Sequence, residues 1–254
     1  MQINLVHSMY SKRISHIFIW LFVIALLTGC ASQTYRATSL SSSQVAKIAS
    51  IAILPPQIEV DEYSAGGTST KIDEWCAQAH ENFDKALFQE LSHKTNKKLQ
   101  LLEESQFTDE QRKNWQETLA LYKSIKASQA TMGQAGQGKS MLNYSFGKEV
   151  CVLAPGADAL VLVVGINRIA TGGRVAVQTG AALIGVAIGV FTGIMPVVIP
   201  SGSGAYVDFL LIDAKTGNVL WFNSAGAGQM GGHDLRECKN AENLVHSGFE
   251  GFPL

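Results

Sequence analysis

The chain reads as an α+β fold: a mixed β-sheet with helices packed on it, in the order strand, helix, strand, helix, then a long strand and a C-terminal β-hairpin. Three observations predict it. Residues 70–91 and 108–129 repeat apolar side chains at the helical period, and strand-like runs at 47–54 and 99–102 alternate with them. Residues 157–166 are β-branched and leucine-rich and uncharged beyond Asp158, the strongest strand signal in the chain. Residues 205–213 and 218–222 are joined by Ala214-Lys215-Thr216-Gly217, a tight connection whose glycine suits a positive φ, so the two strands form an antiparallel hairpin.

Before any of this comes a leader. Lys12 and Arg13 precede an apolar run over 17–27, and Leu27-Thr28-Gly29-Cys30 closes it with a small residue before a cysteine. That arrangement suits a signal peptide over 1–29 better than a spanning helix, and makes Cys30 the lipidated first residue of the mature chain. The plainer alternative is a signal-anchor with an incidental cysteine. The net charge of the full chain is -1, and removing Lys12 and Arg13 takes the mature protein to -3, which offers no nucleic-acid-binding surface. Residues 31–43, rich in Ser, Thr, Gln and Ala, read with Cys30 as a lipidated tether over 30–46. Ala31 and Ser32, neither acidic, point to the outer membrane by likeness to lipoproteins in general, facing the periplasm.

A single domain is expected over 47–225. Its first strand, 47–54, is nearly all apolar, as central strands are, and is closed by Pro55-Pro56. Residues 57–69, with Gly66, Gly67 and several acids, read as a loop. Thr70 with Asp73 suggests a capping box for a helix whose buried face is Ile72, Trp75, Cys76, Ala79, Phe83, Ala86, Leu87 and Leu91, with Glu81–Lys85 and Glu90–Lys94 pairs on its wet side. Thr108 with Gln111 repeats the cap, and Trp115, Leu119, Tyr122 and Ile125 line a second helix reaching Gln129. Asp213 reads as a turn residue bonding backbone N–H groups, and Asp208 as part of a water-facing fold.

Two stretches stand apart. Residues 133–140 match G-x-x-x-x-G-K-S, but the strand that must precede a phosphate-binding loop is missing, so they read as a flexible link. Residues 175–200 contain no charge, and Ala181, Gly185, Gly189 and Gly193 recur every four positions, the spacing that lets helices approach closely. Membrane contact, contact between subunits and burial in the protein's own core all remain open for this insert. A single spanning helix is disfavoured, because it would separate strands of one sheet across the bilayer.

Candidate chemistry is thin. Cys76 and His80, four apart, could join His233, Cys238 and His246 around zinc, but no compact zinc spacing is present, and neither a catalytic constellation nor a cofactor site can be placed. Three cysteines besides Cys30 allow one internal bridge, expected between Cys151 and Cys238. The glycine-rich tail 226–254 looks loosely packed.

The runs Ile51-Ala52-Ile53-Leu54-Pro55-Pro56, Gly156-Ala157-Asp158-Ala159-Leu160-Val161 and Leu211-Ile212-Asp213-Ala214-Lys215-Thr216-Gly217-Asn218-Val219-Leu220-Trp221 resemble the layout of a broad group of bacterial periplasmic lipoproteins. It includes the curli secretion channel lipoprotein, the penicillin-binding-protein activator lipoproteins and lipoproteins related to the TolB N-terminal domain. The resemblance implies a mixed sheet covered by helices, no catalytic residues, and roles in export channels or in activating wall synthases. The expectation is therefore a non-enzymatic, palmitate-bearing envelope lipoprotein that assembles with itself or with other envelope proteins. The alternative is a monomeric accessory or ligand-binding lipoprotein whose apolar segment fills its own core.

Overall fold

The computed structural model describes residues 33–64, 68–129, 139–173, 204–228 and 234–254. Cys30 with its leader, the insert 175–200 with Ala181, Gly185, Gly189 and Gly193, most of the glycine-lysine stretch, and His233 lie outside the described residues. In chain order the elements are β1 (Gln33–Thr38), α1 (Ser42–Lys47), β2 (Ser50–Ile53), β3 (Gln57–Tyr63), β4 (Ser69–Lys71), α2 (Asp73–Lys94), β5 (Lys98–Leu101), α3 (Asp109–Gln129), β6 (Ala159–Ala170), β7 (Gly204–Asp213), β8 (Val219–Gly228) and α4 (Cys238–Gly248). Short 3-10 turns occupy Glu104–Gln106 and Lys148–Val152.

Among the described residues the strands form one mixed sheet in the order β1-β8-β7-β6-β2-β5. β2 runs parallel to both β5 and β6, as its apolar sequence predicts for a strand with neighbours on each side. β3 is also parallel to β6, further along it, so β2 and β3 are two pieces of one line interrupted at Pro55-Pro56, where two ladder donors are missing. Asp158 fastens the start of this arrangement: its Oδ2 accepts the N–H groups of Ala49 at 3.0 Å and Ser50 at 3.1 Å, and the Ser50 hydroxyl at 3.1 Å. Those donors hold the Asp158 carboxyl below its ordinary range, the Ala49 N–H contributing most.

Alternation along the strands sorts the core into two faces. Ile51, Ile53, Val161, Val163, Phe209 and Leu211 pack under α2 and α4, whereas Ala52, Leu54, Leu160, Leu162, Leu210 and Ile212 pack under α3 and the turn Lys148–Val152. α2 buries Cys76, Ala79, Phe83, Ala86, Leu87 and Leu91, the face its period predicts. At the head of α3, Gln111 N–H donates to Thr108 Oγ1 at 3.2 Å and Thr108 N–H to Gln111 Oε1 at 2.9 Å, the reciprocal cap read from sequence. Gly217 has φ +73°, and Asp213 Oδ1 accepts the N–H groups of Lys215 and Thr216, each at 2.8 Å, closing the β7–β8 hairpin.

Four expectations are corrected. The tether is not a tether: Gln33–Thr38 is a strand paired antiparallel with β8, and Ser42–Lys47 is a helix. The loop at 57–69 is mainly β3, whose inward residues Ile58 and Val60 alternate with polar ones. Thr70 does not cap α2, because it pairs with Glu62 in β4, and Ile72 N–H still donates to Val60 O at 3.0 Å before the helix begins. From residue 234 onward the tail is not loose. α4 buries Leu244 and Val245, and beyond it Phe249 sits 5.3 Å from the Phe209 ring and 5.7 Å from Trp221. Asn82 Nδ2 holds the approach to α4 by donating to the carbonyls of Leu235 at 3.1 Å and Arg236 at 2.8 Å.

Candidate functional site

Asp208 lies in the middle of β7, between Val207 and Phe209, and its side chain points to the α3 face with no exposure. The sequence reading puts Asp208 in a water-facing fold, and within that fold its own side chain faces the interior. A buried carboxylate needs partners, and three converge on it. Register sets Ser224 of β8 directly opposite, and its hydroxyl donates to Asp208 Oδ1. Tyr122 and Lys126, one turn apart on α3, come from above: the Tyr122 hydroxyl donates to Oδ2 at 2.5 Å, and Lys126 Nζ stands 2.9 Å from the same oxygen. The lysine approaches off the hydrogen-bonding line, so the contact is an ion pair more than an aligned hydrogen bond. Its ammonium also lies 5.4 Å from the Tyr206 ring centroid and 5.7 Å from that of Phe222, within cation–π range.

These surroundings fix the protonation states. Burial, and then the Asp208 charge and hydrogen bond, push the Tyr122 hydroxyl well above its ordinary value. Burial pulls Lys126 down, but Asp208 and Tyr206 more than offset it, so the ammonium is held upward. Tyr206 is raised, chiefly by burial and then by Asp208. The upward shift favours the ammonium form of Lys126, and the Ser224 hydroxyl donates to Asp208. The arrangement is suited to holding α3 on the sheet and to presenting a fixed cation and two tyrosines to whatever enters above them.

Something can enter. A cleft of about 260 Å³ opens between α3 and the sheet, floored by Gly165 and Tyr206, walled by Tyr122 and Lys126, and rimmed by Glu59, which pairs with Lys123 at 3.1 Å. Gly165 is required there: a Cβ would come within 2.6 Å of the Val207 side chain and 2.9 Å of the Tyr206 carbonyl.

No family model matches the chain, and no curated protein does. Among solved structures it is similar to the PelC dodecamer from Paraburkholderia phytofirmans, at 11% identity over 86% of this chain and 95% of that one, with a TM-score of 0.35. A variant of that dodecamer in a second crystal form gives 11% identity, 86% and 96% coverage and a TM-score of 0.35. The lipoprotein GNA1162 from Neisseria meningitidis gives 13% identity over 71% of this chain and 80% of that one, with a TM-score of 0.27. What the protein does must be read from its own residues.

Among the described residues no group of three or more His, Cys, Asp or Glu side chains could hold a metal ion, and Cys76, His80, Cys238 and His246 are each engaged elsewhere. Val60 N–H donates to Cys76 Sγ at 3.2 Å, and His80 Nε2 lies 3.1 Å from both the N–H and the carbonyl oxygen of Ile58. The two side chains of α2 thus satisfy β3 where β2 no longer runs beside β6, which is the use this Cys-His pair finds. Burial lowers the His80 pKa. Cys238 contacts Glu242 at 3.4 Å, and His246 Nδ1 lies 3.1 Å from Glu90. The expected bridge is absent: Cys151 and Cys238 are both free and exposed. Cys151 belongs to the turn on the α3 face and Cys238 to α4 on the other, so the sheet stands between them.

The Asp208 cluster does leave a signal in the sequence. A lone acid inside an apolar strand, with a Tyr and a Lys four apart on a helix that is otherwise apolar on that face, is the mark of a paired buried charge.

Proposed function

We propose that the protein is a non-enzymatic, lipid-anchored envelope protein of the outer membrane, facing the periplasm and assembling with itself or with other envelope proteins. The observation that carries this reading is Leu27-Thr28-Gly29-Cys30 at the end of the apolar run. The closeness of β1 to Cys30 supports it, since an acyl chain there would be fastened almost directly to the folded sheet. Firm anchoring needs more than one acyl chain, because a single chain at ~0.8 kcal/mol per buried CH₂ binds reversibly. Intact-mass analysis of protein taken from membranes should find an acylated Cys30 at the mature terminus, and Cys30→Ser should release or misprocess the chain. An unmodified species beginning at Met1 would sink the proposal.

The cleft beside Lys126 favours a second reading, a monomeric accessory lipoprotein that binds a small ligand. The size of the detergent-extracted protein separates the two.

A further inference from the structure

The register of the sheet brings Gln33, the first strand residue after Cys30, and Ala170 and Gly204, between which the uncharged stretch lies in the sequence, to one end of the described sheet. β1 begins at Gln33, three residues after Cys30, and three residues of chain reach at most about 10 Å. Gln33 stands level with Gly226 of β8, Gly226 with Tyr206 of β7, and Tyr206 with Ile166 of β6. At ~4.8 Å per strand, Gln33 is only about 14 Å across the sheet from β6. The chain leaves β6 at Ala170 and enters β7 at Gly204, so the sequence that joins them, with its 26 uncharged residues at 175–200, departs from and returns to this same end. The opposite end carries Asp158 and the β7–β8 turn with Asp213 and Lys215.

We infer that the bilayer receiving the acyl chains of Cys30 lies against the end of the sheet formed by Gln33, Tyr63, Ala170 and Gly204, with the strands running away from it and the Lys215 turn pointing into the periplasm. This rests on acylation of Cys30 as proposed above. The partner is a lipid surface held by acyl chains and not by charge. Asp61, Glu62 and Asp73 share this end with Lys71, which pairs with Asp73 at 3.6 Å, and Arg168, and no polybasic patch is present among the described residues there. Because the link from lipid to β1 is so short, the domain cannot tumble on a leash. It is held in one orientation.

The test uses the full lipidated chain, reconstituted into phosphatidylethanolamine and phosphatidylglycerol vesicles that carry a nickel-chelating headgroup lipid. Cys151→Ser and Cys238→Ser remove the exposed thiols and Cys76, 6% exposed, is left in place. A nitroxide is then attached through Gly172→Cys, where a Cβ meets nothing within 4 Å, or through Lys215→Cys, whose side chain is 77% exposed. The two positions are about 30 Å apart along β7, so nickel should relax the label at 172 about threefold or more strongly than the label at 215. Equal relaxation, or the reverse order, in protein that floats with the vesicles overturns the orientation while leaving the anchor intact. Protein that does not float at all removes the anchor and the orientation with it.

Discussion

Lys126 is the residue on which the buried cluster depends. Removing it by Lys126→Met leaves the buried Asp208 carboxyl short of its cation, and should cost about 3 kcal/mol in urea unfolding. Asp208→Asn combined with Lys126→Met should cost less than the single lysine change, because no unpaired charge remains; equal costs would show that the lysine stem, not the charge, matters. A second residue-scale effect concerns pH. Burial, with Glu103 nearby, pushes the Asp84 carboxyl up to about 6. A raised carboxyl pKa means that the native state binds its proton more tightly than the unfolded chain, so this group favours folding as pH falls from about 6 toward 4. His80 acts in the opposite sense. Its pKa is lowered, so the neutral ring is favoured in the native state and stability is lost as pH falls below about 6.5. Asp84→Asn should therefore raise stability at pH 7.5 by about 1 kcal/mol, a modest gain because the side chain is partly solvated. It should also steepen the loss of stability between pH 6.5 and 5. Thermal unfolding across that range checks both, and an unchanged profile would refute the assignment.

At the scale of elements, α4 is the test of whether the C-terminal segment is core or appendage. A Cβ on Gly248 would lie 2.3 Å from the Phe209 ring, and Asn223 Nδ2 donates to the Gly248 carbonyl at 2.6 Å, so helix and sheet are locked at close range. Gly248→Ala should lower stability by about 1–3 kcal/mol through overpacking, despite the better helix propensity of alanine. A neutral or stabilising result would mean that α4 detaches freely. Helices α2 and α3 were legible because their buried faces repeat every 3.6 residues over many turns and because Thr108 and Gln111 are adjacent enough to cap each other. β3 was harder to read. Ile58 and Val60 alternate correctly, but the pattern is short and the acids Glu59, Asp61 and Glu62 suit a loop equally well until β6 supplies the ladder that pairs them.

For the molecule as a whole, the choice between self-assembly and a monomer turns on the insert at 175–200. Gly185→Leu with Gly189→Leu would thicken the face that a helix there would present, on which small residues recur every four positions. If that face meets another subunit, the detergent-extracted assembly should fall to smaller species while circular dichroism is unchanged. If it packs in the protein's own core, the melting temperature should drop with no change in size. The sequence by itself determined the α+β class, α2, α3 and the β6, β7 and β8 strands, because each is written in a local signal: a period or a turn; the proposed leader and Cys30 rest on a local signal of the same kind, a cleavage pattern. Tertiary structure decided the rest. β1 became a strand because β8 had a free edge, the 234–254 segment became core because Phe209 and Trp221 needed cover, and Asp208 became tolerable in the interior only where Tyr122, Lys126 and Ser224 met it. In each case the partner lies far along the chain, Asp208 and Tyr122 being 86 residues apart, and a contact between distant residues leaves no periodic trace in the sequence around either one.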